Sequence, residues 1–263
     1  MITNYHTHTR RCKHADNIGD EKFVQCAIEN GYSILGFADH SPWPYESDTF
    51  APGVRMELPE FPEYCCSIRS LQKKYEKEIH IYLGLECEYY PQYLPWLKQV
   101  KNQLDYLLLG NHWPVSDEYE REHFQRATNP EQIGYYFQTM IQGIETGLFD
   151  CVAHPDLVFT AYKKFDNSCI DGSYAFCRRV KNRNIPIEYN LYGLEKASKG
   201  GHPGMGYPCA EFWEIAKDVG CQALIGTDAH YLRHLANDHW RHKAEEYLAG
   251  LGIEQVKILH GLD

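Results

Sequence analysis

The sequence predicts an α/β fold in which parallel strands alternate with helices and close into a barrel. Three observations carry this. Short apolar runs alternate with stretches of helical periodicity, glycines follow several of those stretches, and histidines or acids stand at the ends of most of the runs. A length of 263 residues suits one such barrel better than two small domains, so a single domain over residues 1–263 is expected.

The first run, Ile2-Thr3-Asn4-Tyr5, ends in His6-Thr7-His8, and a helix over 20–30 follows. The second run, 33–38, ends in Asp39-His40. A helix over 60–77 leads to the third run, 79–85, which stops at Glu86. A helix over 94–104 precedes the fourth, 106–109, which leads into Gly110-Asn111-His112. A long helix over 130–147 precedes 151–153 and His154, and a helix over 174–182 precedes the sixth run, 185–190. The helix 209–219 leads to 223–225 and then Gly226-Thr227-Asp228-Ala229-His230; a helix over 243–251 and a short eighth run, 256–259, complete the chain. Gly31, Gly147, Gly220 and Gly252 stand where helix stops belong. Three connections are long, 8–19, 41–59 and 191–207, and in a barrel of this kind they gather at the C-terminal ends of the strands, where ligands bind.

Composition narrows the function classes. Apolar residues make up 43% and charged residues 24%, as in an ordinary globular protein, while a net charge of −10 disfavours contact with a phosphate backbone. No stretch approaches the ~20 apolar residues of a membrane span, and the first strand starts where a signal peptide would lie, so a cytoplasmic protein with no membrane partner is expected. The ten cysteines include no Cys-x-x-Cys pair and are expected as reduced thiols packed mostly as small hydrophobes, with Cys12 and Cys87 beside the histidine and acid positions.

One His-x-His carries little weight in a chain with 14 histidines. The repeated strand-end context carries more, because six strand ends in register surround one site. His6 and His8, two apart on a strand, share a face, and Asp228 and His230 repeat the spacing. Imidazoles with a shared carboxylate suit Zn, Mn, Fe or Mg and can hold two or three ions a few ångströms apart.

Together, His6-Thr7-His8, Asp39-His40, Gly84-Leu85-Glu86-Cys87-Glu88, His112, Ala153-His154-Pro155-Asp156 and Gly226-Thr227-Asp228-Ala229-His230 resemble the motifs of the polymerase and histidinol phosphatase (PHP) domain family. Arg55-Met56 ahead of a helix and the Gly-Leu-Glu-x-Glu-Tyr strand are most similar to the histidinol-phosphate phosphatase branch. The resemblance implies a distorted (β/α)7 barrel, TIM-barrel-like, with a trinuclear metal site at the C-terminal ends of the strands. It places one divalent ion on His6, His8, Glu86 and Asp228, a second on Glu86, His112 and His154, and a third on His14, His40 and His230. It implies a hydrolase acting on a small anionic phosphate ester, L-histidinol phosphate first, by attack of a metal-bridging hydroxide. Asp228, Glu86 and His230 are its catalytic residues, Asp228 or a water on the third ion protonating the leaving oxygen.

Arg55, Lys163 and Asn190 are the expected substrate contacts, Arg55 because a guanidinium can grip two phosphate oxygens. Glu188 is expected in the same cavity. The chain departs from the branch at Gly193-Leu194-Glu195-Lys196, where the branch has Gly-Leu-Arg-Lys, and it lacks an early arginine after Asp156. Both departures bear on which monoester is bound. Two other readings are an enzyme acting on nucleotides or short single-stranded nucleic acid, which the charge opposes, and a non-catalytic metal-binding module, which the filled ligand positions oppose. The glycine-rich stretch 199–206 reads as a loop near the site. His234, His239 and His242 read as a solvated helix start, and His80, His123 and His260 as structural or surface residues.

Overall fold

The structure, a computed structural model, describes every residue except Asp48, Glu120, Arg121 and Asp263. Seven strands alternate with helices: β1 (Ile2–Asn4), α1 (Asp20–Glu29), β2 (Tyr32–His40), α2 (Phe61–Lys74), β3 (His80–Cys87), α3 (Leu94–Lys101), β4 (Tyr106–Leu109), α4 (Pro130–Glu145), β5 (Cys151–Val152), α5 (Asn167–Arg183), β6 (Ile187–Asn190), α6 (Leu191–Ser198), α7 (Ala210–Val219), β7 (Ala223–Gly226), α8 (Leu232–Leu235) and α9 (Asp238–Leu251). Each strand pairs in parallel with the next in sequence, so the sheet order is the chain order.

The sheet curls into a nearly closed barrel, and its seam is made by backbone just beyond β1 and β7. The His8 amide donates to the Ala229 carbonyl and the Ala229 amide to the His6 carbonyl, both at 2.9 Å. The Asn4 side chain stitches the same seam, accepting from the Thr227 amide at 2.8 Å and donating to the Thr7 hydroxyl at 2.8 Å. Side chains fill the interior: the Tyr106 hydroxyl crosses it to donate to the carbonyls of Tyr5 and Phe37.

The helices pack on the outside through apolar stripes. In α4 the buried positions Ile133, Tyr136, Phe137, Met140 and Ile144 recur at helical spacing, and Asn129 and Gln132 form a capping box at its start. Gly31, Gly147, Gly220 and Gly252 all have positive φ, 68–77°, as helix stops require.

Several elements differ from expectation: α8 is an additional helix and α9 starts five residues before the expected 243. The stretch 191–207 is not all loop: its first half is α6, capped by Asn190, whose Oδ1 accepts the Gly193 amide at 2.8 Å. Helix α5 starts seven residues earlier than its apolar periodicity suggests, because Asp166 caps it through the Ser168 and Cys169 amides. The run 256–259 is no eighth strand. The tail makes one bridge, Ala223 to Gln255, then passes beneath the barrel, where buried Leu259 packs with Tyr5, Ile34 and Tyr106. All ten cysteines are free thiols, seven of them buried. Among the described residues no helix is long and apolar enough to cross a membrane.

Candidate metal centre

Because all seven strands run the same way, their C-terminal ends meet on one face, and so do the residues that end them. His40 closes β2 and pairs in register with Glu86 of β3. His112, His154, Asp228 and His230 follow β4, β5 and β7 within a few residues. His14 returns to the same face because Lys13 adopts left-handed backbone, φ 66°, after the turn at Arg10–Cys12. Buried Arg11 pins that loop by pairing with Asp20 and Glu63.

Glu86 stands at the centre. Its Oε1 lies 2.8 Å from His154 Nε2 and 3.3 Å from His112 Nε2. Its Oε2 lies 2.9 Å from His40 Nδ1, 3.3 Å from His6 Nε2 and 3.6 Å from His8 Nε2. Asp228 Oδ1 lies 3.2 Å from His8 Nε2, 3.3 Å from His230 Nδ1 and 3.6 Å from His6 Nε2. His14 Nε2 and His230 Nε2 are 2.8 Å apart. The structure thus brings together all nine residues expected as ligands.

Several of these atoms have no ordinary partner. Among the inward-facing atoms, His6 Nε2, His8 Nε2 and both oxygens of Glu86 are buried without a hydrogen bond. Orphaned polar atoms cost roughly 1–3 kcal/mol each, so donors converging from separate strands without satisfying one another suit a cation. The triplets His6–Glu86–His154, His6–His8–Asp228 and His8–His40–His230 each place their donor atoms within 4.8 Å of one another. The chemistry of the set, imidazole nitrogen with carboxylate oxygen, fits divalent ions.

Outside this ring, acceptors fix the imidazoles. His6 Nδ1 donates to Glu188 Oε1 at 2.8 Å and His112 Nδ1 to Glu88 Oε1 at 2.8 Å, while His8 Nδ1 stands 3.5 Å from Asp39 Oδ1. The backbone carbonyls of Cys12 and Asp228 hold His14 and His230 in the same way. A proton committed to Nδ1 leaves the Nε2 lone pair facing inward. Glu188, expected in the substrate cavity, is instead buried behind His6, and Glu88, one residue beyond β3, has no role assigned from the sequence; its place two residues past Glu86 is the signal that could have found it. Glu188 needs room: a Cβ at Gly226 would stand 1.7 Å from its Oε1. Gly226→Ala is therefore expected to push Glu188 off His6 and weaken metal binding about 10–100-fold, read by competition with a chromogenic chelator while circular dichroism stays unchanged.

Burial works against charge throughout the pocket, and the neighbours decide the outcome. At Glu86, burial favours the neutral acid, but the imidazoles of His112, His6 and His40 pull the carboxyl well below its ordinary range. Burial lowers His6 and His8, yet Glu188, Asp228 and Glu86 around the first, and Asp228 and Asp39 beside the second, hold both well above the usual value. His112 is raised to about 9 against burial by Glu86 and Glu88. His40 and His230 fall well below, burial being reinforced by the charge on His8. His154 and Asp228 also carry left-handed backbone, φ 27° and 51°, a strain held by surrounding bonds such as that from the His154 amide to Glu188 Oε2.

The three expected substrate contacts lie elsewhere. Arg55 is fully buried behind His112, donating to Glu88, Asp117 and the Ser41 carbonyl, so its fork is already occupied. Lys163 is on the surface beside Thr128 and Lys164, carried outward because Val158, Phe159 and Tyr162 anchor the preceding turn in the core. Asn190 is buried, and its Nδ2 donates to Glu188 at 2.9 Å and Asp228 at 3.3 Å; it orients carboxylates.

Above the centre is a cavity of about 230 Å³, its floor formed by the histidines, Glu86 and Asp228 and its walls by Trp113, Leu157, Tyr192 and Tyr207. His123, expected as a structural or surface residue, and Gln125 also line it, on the connection between β4 and α4, which is long in addition to the three expected. His234 is buried rather than solvated, its ring 5.0 Å from Tyr192 and its Nδ1 accepting the His230 amide at 3.3 Å. His239 and His242 are exposed as expected.

The family model for the PHP domain matches residues 4–191. The chain belongs to the PHP domain family. A probable histidinol-phosphatase of Deinococcus radiodurans is 28% identical over 237 residues, covering 87% of this chain and 86% of that protein. The histidinol-phosphatase of Bacillus subtilis is 24% identical over 252 residues, covering 86% and 92%. Among solved structures, the histidinol phosphate phosphatase of Lactococcus lactis complexed with zinc, L-histidinol and phosphate superposes with a TM-score of 0.75 at 19% identity, over 100% of this chain and 98% of that one. The PHP match ends at residue 191, and Asp228 and His230 reach the centre from beyond it through the β1–β7 seam.

Proposed function

We propose that this PHP chain is a divalent-metal-dependent phosphoric monoester hydrolase whose substrate is L-histidinol phosphate. The observation that carries the reading is Glu86, a buried carboxylate whose two oxygens, neither hydrogen-bonded, face two separate sets of histidines. His6, His8, Glu86 and Asp228 would hold one ion, Glu86, His112 and His154 a second, and His14, His40 and His230 a third. Such ions supply Lewis acidity toward phosphoryl oxygens and a water acidic enough to be a nucleophile near neutral pH.

The chain's own groups do the rest. Asp228 keeps an ionised carboxylate at the cavity floor, Oδ2 steadied by Asn190, where it can take a proton and return it to the leaving oxygen. His230 braces that carboxylate from the other side. Trp113, Leu157 and Tyr207 offer an apolar wall to the organic part of the ester, and His123 and Gln125 offer hydrogen bonds. The names of the relatives and the histidinol and phosphate bound in the Lactococcus lactis protein support the choice of ester. A small cavity and a net charge of −10 weigh against polymeric nucleic acid.

The test is phosphate release by the metal-loaded protein from L-histidinol phosphate, aliphatic and aryl monophosphates and nucleoside monophosphates. The expected result is the highest kcat/KM for L-histidinol phosphate. Release from none of them by protein that retains its metals would overturn the hydrolase reading.

A further inference from the structure

We propose that Lys196 is the residue that binds the peripheral oxygens of the phosphate, a role that rests on the monoesterase reading above. A dianionic ester entering the cavity gains a charge-assisted contact wherever a protein cation can reach oxygens that the metals do not hold. The residues expected to supply one do not reach it, since Arg55 is committed to Glu88 and Asp117 and Lys163 is on the outer surface. Among the described residues Lys196 is the only Lys or Arg on the cavity wall.

Its placement follows from α6. Successive helical residues point about 100° apart, so only one of Glu195 and Lys196 can face the centre. Glu195 faces away: it pairs with Lys199 and stands 3.9 Å from His234 Nε2, in a separate small cleft that includes Asn237. Its negative charge, where the related branch has arginine, is therefore neutralised outside the cavity. Lys196 faces in. Its ammonium rests 4.0 Å from the centre of the Tyr192 ring, and that ring lies 5.5 Å from the ring of His230.

A cation on an aromatic face at a half-exposed site is held weakly, by about 0.5–1 kcal/mol, less than a charge-assisted hydrogen bond to phosphate gives. Tyr192 thus parks the ammonium at the rim, free to turn onto the dianion. Lysine supplies a point charge rather than a two-pronged fork, so it fixes the phosphate's position with less control of its rotation.

The test compares metal-loaded wild type with Lys196→Met, Lys196→Arg and Glu195→Gln. It measures inorganic phosphate binding by calorimetry, metal content, and kcat and KM. Lys196→Met is expected to weaken inorganic phosphate about ten- to a hundredfold and to raise KM more than it lowers kcat, with metal content unchanged. Lys196→Arg should recover most of the loss, and Glu195→Gln should bind phosphate as wild type does. Phosphate binding by Lys196→Met equal to wild type, or no binding of phosphate by the metal-loaded wild type, would overturn the proposal. If the wild type hydrolyses no monoester yet binds phosphate through Lys196, the monoesterase reading fails and the assignment of Lys196 stands.

Discussion

Glu86→Gln is expected to abolish phosphate release, kcat/KM falling by roughly a thousandfold or more, because an amide in that position removes the one anion shared by both sets of histidines. The amide keeps the shape but offers one oxygen and one NH2 where two acceptors stood. Glu188→Gln makes the contrast: it touches His6 from outside, so a loss of about 10–100-fold is expected, through metal affinity. Metal content by plasma emission separates the two, with Glu86→Gln purified largely without metal and Glu188→Gln refillable at higher concentration. Equal losses in both would mean that Glu86 is no more central than its neighbours.

Stripping the metal is expected to cost about 4 kcal/mol of stability at ion concentrations near a thousandfold above Kd, roughly 8–16 °C in Tm for a chain of this size. The reason is the pocket itself, where carboxylates and imidazoles are buried with unmet polar atoms. In the metal-free protein, protons partly stand in for cations. His112, raised to about 9, is protonated at pH 7 and must lose that proton when an ion binds. The sign follows: loading releases protons, and apparent affinity weakens as pH falls below about 9. Calorimetry in buffers of different ionisation enthalpy reads the protons, and scanning calorimetry before and after chelation reads the stability. An unchanged Tm after complete removal of metal would contradict the account.

The ligands were legible in the sequence because a parallel barrel turns strand ends into neighbours, so His40, Glu86, His112, His154 and Asp228 could be assigned to one face before any coordinates. The contacts that shape the substrate were not. Arg55 looked free because nothing in the linear order reveals that Glu88 and Asp117, 33 and 62 residues away, converge on it. In the sequence the Glu195-Lys196 pair reads as a lost cation because a loop gives no directions, and only the helical phase of α6 shows which of the two faces inward. His123 and Gln125 reach the cavity from the connection between β4 and α4, and linear order gives no direction to a side chain in such a stretch.

The tail beneath the barrel has a bearing on the opposite face. Leu259 donates its amide to the Tyr5 hydroxyl at 3.4 Å, and Tyr5, whose carbonyl is held by Tyr106, is joined directly to His6. Leu259 and its neighbours beneath the barrel are therefore a foundation for His6, and a lesion there, far from the metal centre, can be felt as a misaligned imidazole. Damage at Leu259 should surface as poor metal retention before it surfaces as unfolding.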